Sequence, residues 1–241
     1  SVILHDVGIS CRRIVNGLKE LHIDMAQVEG IFISHEHSDH IAGLQQLLKR
    51  FDIPVYTKQG TWREIQDKLV VPKNQLIELT KGSLTLGNLI VEPFAVSHDA
   101  ADPIGINVFS GKDKATVVTD TGIISDDILH RIDDSTLLVL EANYDPHMLR
   151  FGPYQPFLKQ RVASDEGHLS NEMAAQALLM MKRPDFMQVI LAHRSENNNN
   201  AVLVTQTIGK MLVDGGVRIG PEMKLQHGQP NEIVSMQSIK R

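Results

Sequence analysis

Short apolar runs alternate with amphipathic stretches in the first part of the chain, which predicts strands and helices in turn. Strands are expected at residues 2–4, 30–34 and 54–57. A helix is expected from about Ser10, because Ile14, Leu18 and Leu21 fall on one helical face. Further helices are expected at residues 41–48 and 61–68.

The pattern changes to strands from residue 76 to residue 120 and then alternates again. The predicted strands are residues 76–78, 84–86, 89–96, 104–109, 116–119, 136–140 and 187–192. The later predicted helices are residues 125–132, 171–181 and 201–212, the last of them stopped by Gly215 and Gly216. Two strand-rich sheets with helices outside both, in two similar halves, predict a four-layer αββα sandwich of the α/β (α+β) class. We expect one domain, residues 1–241.

Composition limits the function classes. The chain has 241 residues, 42% of them apolar, and a formal net charge of −5, so any binding of nucleic acid must use a local patch. Cys11 is the only cysteine, which excludes an intrachain disulfide and a thiolate-rich zinc site. The sequence has neither a long apolar span nor a visible signal peptide, so we expect a cytoplasmic protein without a membrane partner.

Candidate metal ligands are concentrated in the segment Ser34-His35-Glu36-His37-Ser38-Asp39-His40, which follows the apolar run at residues 30–33. His35 and His37 stand two positions apart, so at the end of a strand they point to the same side. Asp39 and His40 are aimed at a neighbouring point, and one loop can therefore supply ligands to two metal ions. The alternative is a histidine-rich surface loop, which we consider less consistent with four ligands between a strand and a helix.

Three more polar residues follow predicted apolar strands: His98, Asp120 and His193. Each by itself is typical of a cap or of a hydrogen-bonded core residue. Strand ends at one rim are nevertheless where ligands from distant sequence converge. Together with the histidine segment they complete a set for two metal ions, and imidazole and carboxylate donors suit zinc, manganese or iron.

From Asp6 to about Asn198 the sequence resembles the metallo-β-lactamase-fold hydrolases. The resemblance implies two metal ions, bridged by Asp120. It assigns His35, His37 and His98 to the first ion and Asp39, His40 and His193 to the second. Asp6, in Asp6-Val7-Gly8, matches an early turn of the family that supports the metal loop without binding metal itself.

Two further motifs resemble the nuclease branch of this superfamily, which includes the transfer-RNA 3′-end processing enzymes. These are Leu140-Glu141-Ala142-Asn143-Tyr144 and Gly167-His168-Leu169-Ser170-Asn171-Glu172. The resemblance implies that His168 contacts the scissile phosphate or protonates the leaving oxygen, and that Glu141 orients it. With Asp39 these are the expected catalytic residues. The alternatives are a buried, hydrogen-bonded carboxylate and a histidine beside a helix cap.

Four segments narrow the resemblance to the bacterial YycJ/WalJ family, which degrades DNA from the 5′ end and for which mismatch repair has been proposed. They are residues 6–11, 97–103, 141–145 and 167–171. The family normally begins with strands that carry a Gly-Ser-Ser-Gly-Asn-like turn, and we expect those first strands to be missing here. Arg194 also departs from the family, in which we expect Leu; it either contacts phosphate or faces solvent.

One segment is a candidate nucleic-acid surface. Residues 148–162 combine cations with aromatic rings, and its candidate contacts are Arg150, Tyr154, Lys159 and Arg161, with Arg194 as a separate candidate. The alternative is an ordinary loop and amphipathic helix whose aromatic rings are buried.

The sequence therefore predicts a metal-dependent phosphodiesterase, a 5′-to-3′ DNA exonuclease with a role in DNA repair. An RNA-processing nuclease is one alternative. A thioester, lactone or β-lactam hydrolase is another, although the branches that act on small molecules lack the Glu141 and His168 pair. A non-catalytic scaffold is a third, although no ligand is missing.

Overall fold

A computed structural model describes residues 1–80, 82–230 and 232–236. The chain forms two compact units. The amino-terminal unit comprises Ser1–Ala95 and Ala100–Ile104, and the carboxyl-terminal unit comprises Val96–Asp99 and Gly105–Arg241. The expectation of a single domain stays a prediction.

The amino-terminal unit contains a parallel four-stranded sheet and a separate hairpin. The sheet has the order β1-β2-β3-β4, and the hairpin pairs β5 with β6 in antiparallel orientation. The strands are β1 (Val2–His5), β2 (Val28–Phe32), β3 (Val55–Thr57), β4 (Leu76–Glu78), β5 (Leu84–Leu86) and β6 (Leu89–Ala95). The helices are α1 (Cys11–Glu20), α2 (Ser38–Ile41), α3 (Leu44–Leu48) and α4 (Gln59–Lys68).

Apolar burial on both sides of β2 holds this unit together. Ile31, Phe32 and Ile33 are fully buried, as expected for a strand in the middle of a parallel sheet. Leu44 and Leu47 of α3 and Ile65 of α4 are equally buried, and Ile31 and Ile33 belong to the same core. In the register of the sheet His5 lies opposite Phe32, so the segments that follow β1 and β2 begin side by side.

The carboxyl-terminal unit contains a mixed sheet in the order β11-β10-β9-β8-β7. Its strands are β7 (Ile104–Ser110), β8 (Asp113–Val118), β9 (Leu137–Glu141), β10 (Met187–Ala192) and β11 (Met223–His227). Its helices are α5 (Asp126–Ile132), α6 (Pro146–Phe151), α7 (Pro156–Val162), α8 (Asn171–Met180) and α9 (Ala201–Asp214). β7 and β8 form an antiparallel hairpin, and β8, β9, β10 and β11 run parallel.

The parallel register determines which side chains meet at the end of this sheet. Leu140 of β9 lies opposite both Val118 of β8 and Leu191 of β10. Because the three strands end nearly level, the residues that follow them emerge at one edge. Asp120, Glu141 and His193 all come from this edge.

Most predicted elements are found within a few residues of their predicted bounds. The strand predicted at residues 30–34 begins two residues earlier, as Val28–Phe32. The single helix predicted at residues 41–48 is two helices, and the first begins at Ser38 inside the histidine segment. Gly43 separates them, and its close approach to the Ile9 carbonyl would place an added Cβ 2.2 Å from that oxygen.

Three elements were not predicted as such: α6, α7 and β11. The two helices are only six and seven residues long, and each has a proline in its first turn. A short segment with several prolines reads as a stiff loop in the sequence. β11 is short and largely polar in sequence. Within the described residues, no helix has both the length and the apolar character needed to cross a membrane.

Candidate metal centre

The amino-terminal unit brings His35 and His37 together directly after β2. His35 is fully buried, and its Nε2 lies 3.0 Å from Nδ1 of His37. Two imidazole nitrogens this close together can bind one metal ion. That His35 and His37 bind the same ion stays a prediction.

The Asp6 carboxylate forms hydrogen bonds to two residues of the histidine segment, one of which is the predicted ligand His40. Asp6 Oδ2 lies 2.7 Å from His40 Nδ1 and accepts a hydrogen bond from Ser34 Oγ at 2.7 Å, while Oδ1 accepts one from the Ser34 amide at 2.7 Å. Because a carboxylate only accepts, His40 donates from Nδ1, and a neutral imidazole then carries its lone pair on Nε2. Burial would raise the pKa of Asp6, but His5, His40 and Ser34 outweigh it and hold that pKa well below its usual range.

Ser34 was not among the predicted site residues. Its hydroxyl also lies 2.9 Å from His35 Nδ1, so one side chain contacts both the supporting carboxylate and a predicted ligand. Asp39 differs from its neighbours because its side chain is 65% exposed, with Oδ2 3.6 Å from His40 Nε2. An exposed carboxylate beside the histidines is accessible to both metal and solvent.

The turn Asp6-Val7-Gly8 packs directly against the histidine loop. The Val7 amide donates to the His40 carbonyl at 2.9 Å, and the Gly43 amide donates to the Val7 carbonyl at 2.8 Å. A Cβ at Gly8 would lie 1.5 Å from the Asp39 carbonyl oxygen, so this position has no room for a side chain. The predicted supporting role of the turn therefore has a direct geometric basis.

The carboxyl-terminal unit forms a second cluster around Asp120, which is 2% exposed. Its Oδ1 lies 3.4 Å from His193 Nε2, 3.6 Å from His98 Nε2 and 3.8 Å from His168 Nδ1. Asp120 thus lies beside the two predicted ligands His98 and His193, and its role as a bridging ligand stays a prediction.

Glu141 is fully buried and accepts from four donors. Its Oε1 lies 2.8 Å from Nδ1 of His168 and 2.8 Å from Nδ1 of His193, and its Oε2 accepts from the amides of Thr121 (3.2 Å) and Leu169 (3.1 Å). Burial would raise the pKa of Glu141, but the two histidines outweigh it and hold that pKa well below its usual range. The sequence predicted that Glu141 orients His168; the contact with His193 is additional.

The histidines of this cluster have different electrostatic surroundings. Burial lowers the pKa of His98, which favours the neutral imidazole that binds metal, and its Nδ1 donates to the Gly167 carbonyl at 3.1 Å. Burial would also lower the pKa of His168, but the charge and hydrogen bond of Glu141 outweigh it and raise that pKa. His168 is therefore suited to carry a proton, and His98 to carry a lone pair.

The donor chemistry fits a divalent metal in both clusters. His40, His98 and His193 each use Nδ1 for a hydrogen bond to oxygen and keep Nε2 directed into the cluster, the pattern of metal-binding histidines. Oxygen and nitrogen atoms of Asp120, Glu141, His168 and His193 lie within 4.8 Å of one another. Glu141 is committed to its four donors, so Asp120 is the better ligand of the two carboxylates.

Three residues of the two clusters have an uncommon backbone conformation with positive φ. Among the residues that the structure describes, five other than glycine have positive φ, and three belong to the clusters: Asp6 (57°), Asp120 (57°) and His193 (51°). Positive φ is uncommon in residues other than glycine, although aspartate and histidine adopt it more often than most. At His193 the carbonyl accepts from Asn143 Nδ2 at 2.8 Å, which stabilises the turn. Asn143 and Thr121 are supporting residues that the sequence did not indicate.

The predicted nucleic-acid contacts lie in two places. Arg150, Tyr154, Lys159 and Arg161 belong to α6, α7 and the turn between them, where Arg161 forms an ion pair with Asp99. Arg194 is half-buried after β10, with Nη2 3.5 Å from Gln229 Oε1. It therefore has a protein neighbour, and its contact with phosphate stays a prediction.

Known proteins resemble this chain in sequence. A model of the β-lactamase superfamily domain matches residues 3–193. Exodeoxyribonuclease YycJ of Bacillus anthracis is 33% identical over 239 residues, which cover 98% of this chain and 90% of that protein. Exodeoxyribonuclease WalJ of Streptococcus pneumoniae serotype 2 is 31% identical over 242 residues, again 98% of this chain and 90% of the relative.

Solved structures resemble it in fold. The metallo-β-lactamase fold protein YhfI from Bacillus subtilis has a TM-score of 0.66 at 15% identity, covering 93% of this chain and 83% of YhfI. The short form of human tRNase Z has a TM-score of 0.56 at 21% identity, covering 80% of this chain and 82% of that one. At these identities the likeness shows the fold alone, and it confirms the predicted fold class.

Substitution of Gly8 tests whether its turn supports the metal loop. In Gly8→Ala the new Cβ must displace the Asp39 carbonyl, so we expect the free energy of unfolding to fall by roughly 1–3 kcal/mol and the metal content to fall with it. Denaturant unfolding and elemental analysis measure the two effects. The matched control is Gly209→Ala in α9, where an added Cβ meets only Ile219 Cδ1, at 3.9 Å. A Gly8→Ala protein with unchanged stability and metal content would contradict the supporting role.

Proposed function

The chain belongs to the β-lactamase superfamily and, within it, to the family of the YycJ and WalJ exodeoxyribonucleases, and from this we propose that it hydrolyses DNA from an end. The proposal includes two divalent metal ions, held by the seven residues predicted from sequence: His35, His37, Asp39, His40, His98, Asp120 and His193. Cleavage from the 5′ end, a role in DNA repair and a cytoplasmic location remain predictions.

The observation that carries the proposal is the hydrogen bond between Glu141 and His168, beside Asp120. Hydrolysis of a phosphodiester releases an alkoxide, which departs far more easily when a positioned acid supplies a proton. Because His168 Nδ1 donates to Glu141 Oε1, Nε2 is the nitrogen that would act as the proton donor. The raised pKa of His168 favours the protonated form that this step needs.

Residues of the chain itself position the proposed acid and the proposed base. Bound divalent metal ions would supply an activated water and would neutralise charge on the phosphate. Glu141 holds His168 and His193 through one oxygen, so the acid and a predicted ligand have a fixed mutual position. Asp39, largely exposed beside His40, would accept a proton from an attacking water.

Metal dependence is the first test. After chelation the protein should lose cleavage of end-labelled duplex DNA, and reloading with zinc, manganese or iron should restore it with two ions per chain. His37→Ala and Asp120→Ala should lose both cleavage and bound metal, because each removes a predicted ligand. His130→Ala, whose side chain is 80% exposed, is the matched control and should behave like the wild type.

Two results would count against this assignment. Full cleavage by chelated protein would exclude the metal role, and full cleavage by His37→Ala would exclude its place among the ligands. Parallel assays on RNA ends and on a chromogenic ester separate DNA hydrolysis from the other hydrolase activities.

The role of His168 as an acid has a separate test. His168→Ala should lower kcat on DNA by about 10²–10⁴-fold while the metal content stays unchanged. A p-nitrophenyl phosphodiester has a leaving group that needs no proton, so its hydrolysis should fall much less. Equal losses on both substrates would show that His168 binds the phosphate and does not protonate the leaving oxygen.

A further inference from the structure

The two short helices α6 and α7 lie between the proposed catalytic partners in sequence. We call residues 146–162 the α6–α7 segment. It begins five residues after Glu141 and ends six residues before His168, which are hydrogen-bonded to each other. The chain therefore leaves the catalytic pair, forms two helices and returns to the same pair.

Both ends of the segment are attached to the elements that carry the pair. The Asn171 amide donates to the Tyr144 carbonyl at 2.9 Å, just before the segment, and the His168 amide donates to the Val162 carbonyl at 2.9 Å, at its end. An added Cβ at Gly167 would lie 2.3 Å from the Val162 carbonyl oxygen, so α7 packs tightly against the turn that precedes His168. The carboxyl-terminal end of α7 therefore lies directly beside the proposed acid.

The segment has a buried side and an exposed side. Leu149 and Val162 form a small core with Tyr144. By contrast, Phe151 is 67% exposed and Phe157 is 70% exposed. The Phe151 ring is held by His147, whose ring centroid lies 4.6 Å away. Exposed aromatic rings offer flat faces on which an unpaired base can stack.

The charge of the segment is opposite to that of the whole chain. Residues 146–162 include Arg150, Lys159 and Arg161 and no carboxylate, whereas the chain has a net charge of −5. Arg161 is paired with Asp99, so its charge is compensated. Arg150 and Lys159 line a cleft of about 370 Å³ whose other walls include Tyr144 and Leu149. Cations around exposed rings complement a phosphate backbone with unpaired bases.

We propose that the α6–α7 segment binds an unpaired DNA strand, with Phe151 and Phe157 stacking on bases and Arg150 and Lys159 contacting phosphates. The inference rests on the proposed function for the identity of the strand, and it adds that the enzyme takes single-stranded or frayed ends. A paired duplex hides the faces of its bases, so rings in this position favour unpaired nucleotides.

Binding and cleavage are measured separately to test this inference. The probe is a fluorescent phosphorothioate oligothymidylate, which resists hydrolysis, and its affinity is read by anisotropy. The double variant Phe151→Ala/Phe157→Ala removes two stacking rings and should bind it at least about 30-fold more weakly than the wild type does. An oligomer of abasic nucleotides offers nothing to stack on, so both proteins should bind it equally weakly.

Two controls separate stacking from other effects. Val202→Ala/Val213→Ala removes comparably exposed apolar side chains from α9 and should leave the affinity unchanged. Affinity falls as salt rises, and in Arg150→Gln the slope of log affinity against log salt should become less steep by about 0.7, the contribution of one phosphate on a single strand. Hydrolysis of the p-nitrophenyl phosphodiester by Val202→Ala/Val213→Ala should also be unchanged, because α9 carries none of the proposed catalytic or DNA-binding residues.

Each outcome has a distinct meaning. Wild-type affinity of the phenylalanine double variant for oligothymidylate overturns the inference, and the surface then serves another partner. An equal loss of affinity for the abasic oligomer also overturns it, because the rings would then not act on bases. Binding of oligothymidylate without any cleavage of DNA by the wild type rejects the proposed function but leaves the inference intact.

Discussion

The carboxyl-terminal cluster depends on one buried carboxylate oxygen. Glu141 Oε1 accepts from Nδ1 of both His168 and His193, and Oε2 of the same side chain is held by two backbone amides. A fully buried carboxylate is stable only when its oxygens are satisfied, so its four donors and its charge support one another. Through Glu141, a proposed acid and a proposed metal ligand acquire a fixed relation to Asp120.

The two clusters are built on the same principle. In each, a parallel sheet ends with polar residues on neighbouring strands, and a carboxylate in positive-φ conformation lies at the turn: Asp6 in one and Asp120 in the other. In each, a carboxylate outside the predicted ligand set accepts a hydrogen bond from Nδ1 of a histidine: Asp6 from His40 and Glu141 from His193. These hydrogen bonds fix the tautomer and the ring orientation of the two predicted ligands, His40 and His193.

The sequence predicts the parts of the site that depend on local spacing. His35 and His37 are two residues apart, and the structure brings their nitrogens to 3.0 Å. The second contact of Glu141 could not be predicted, because it requires the register that places Ala192 opposite Glu141 across β9 and β10. Ser34, Thr121 and Asn143 act through hydrogen bonds that depend on tertiary structure. The short helices α6 and α7 are stabilised by packing around Tyr144. They are too short to show the apolar periodicity from which a helix is predicted.

The most direct test of this account measures the nitrogen atoms themselves. Imidazole ¹⁵N spectra of the zinc-loaded wild type should show a protonated Nδ1 on both His168 and His193. In Glu141→Gln both signals should change together, because the amide oxygen that replaces Oε1 no longer carries the charge that both nitrogens share. A change confined to one histidine, or to neither, would contradict the claim that a single buried carboxylate positions the acid and the ligand.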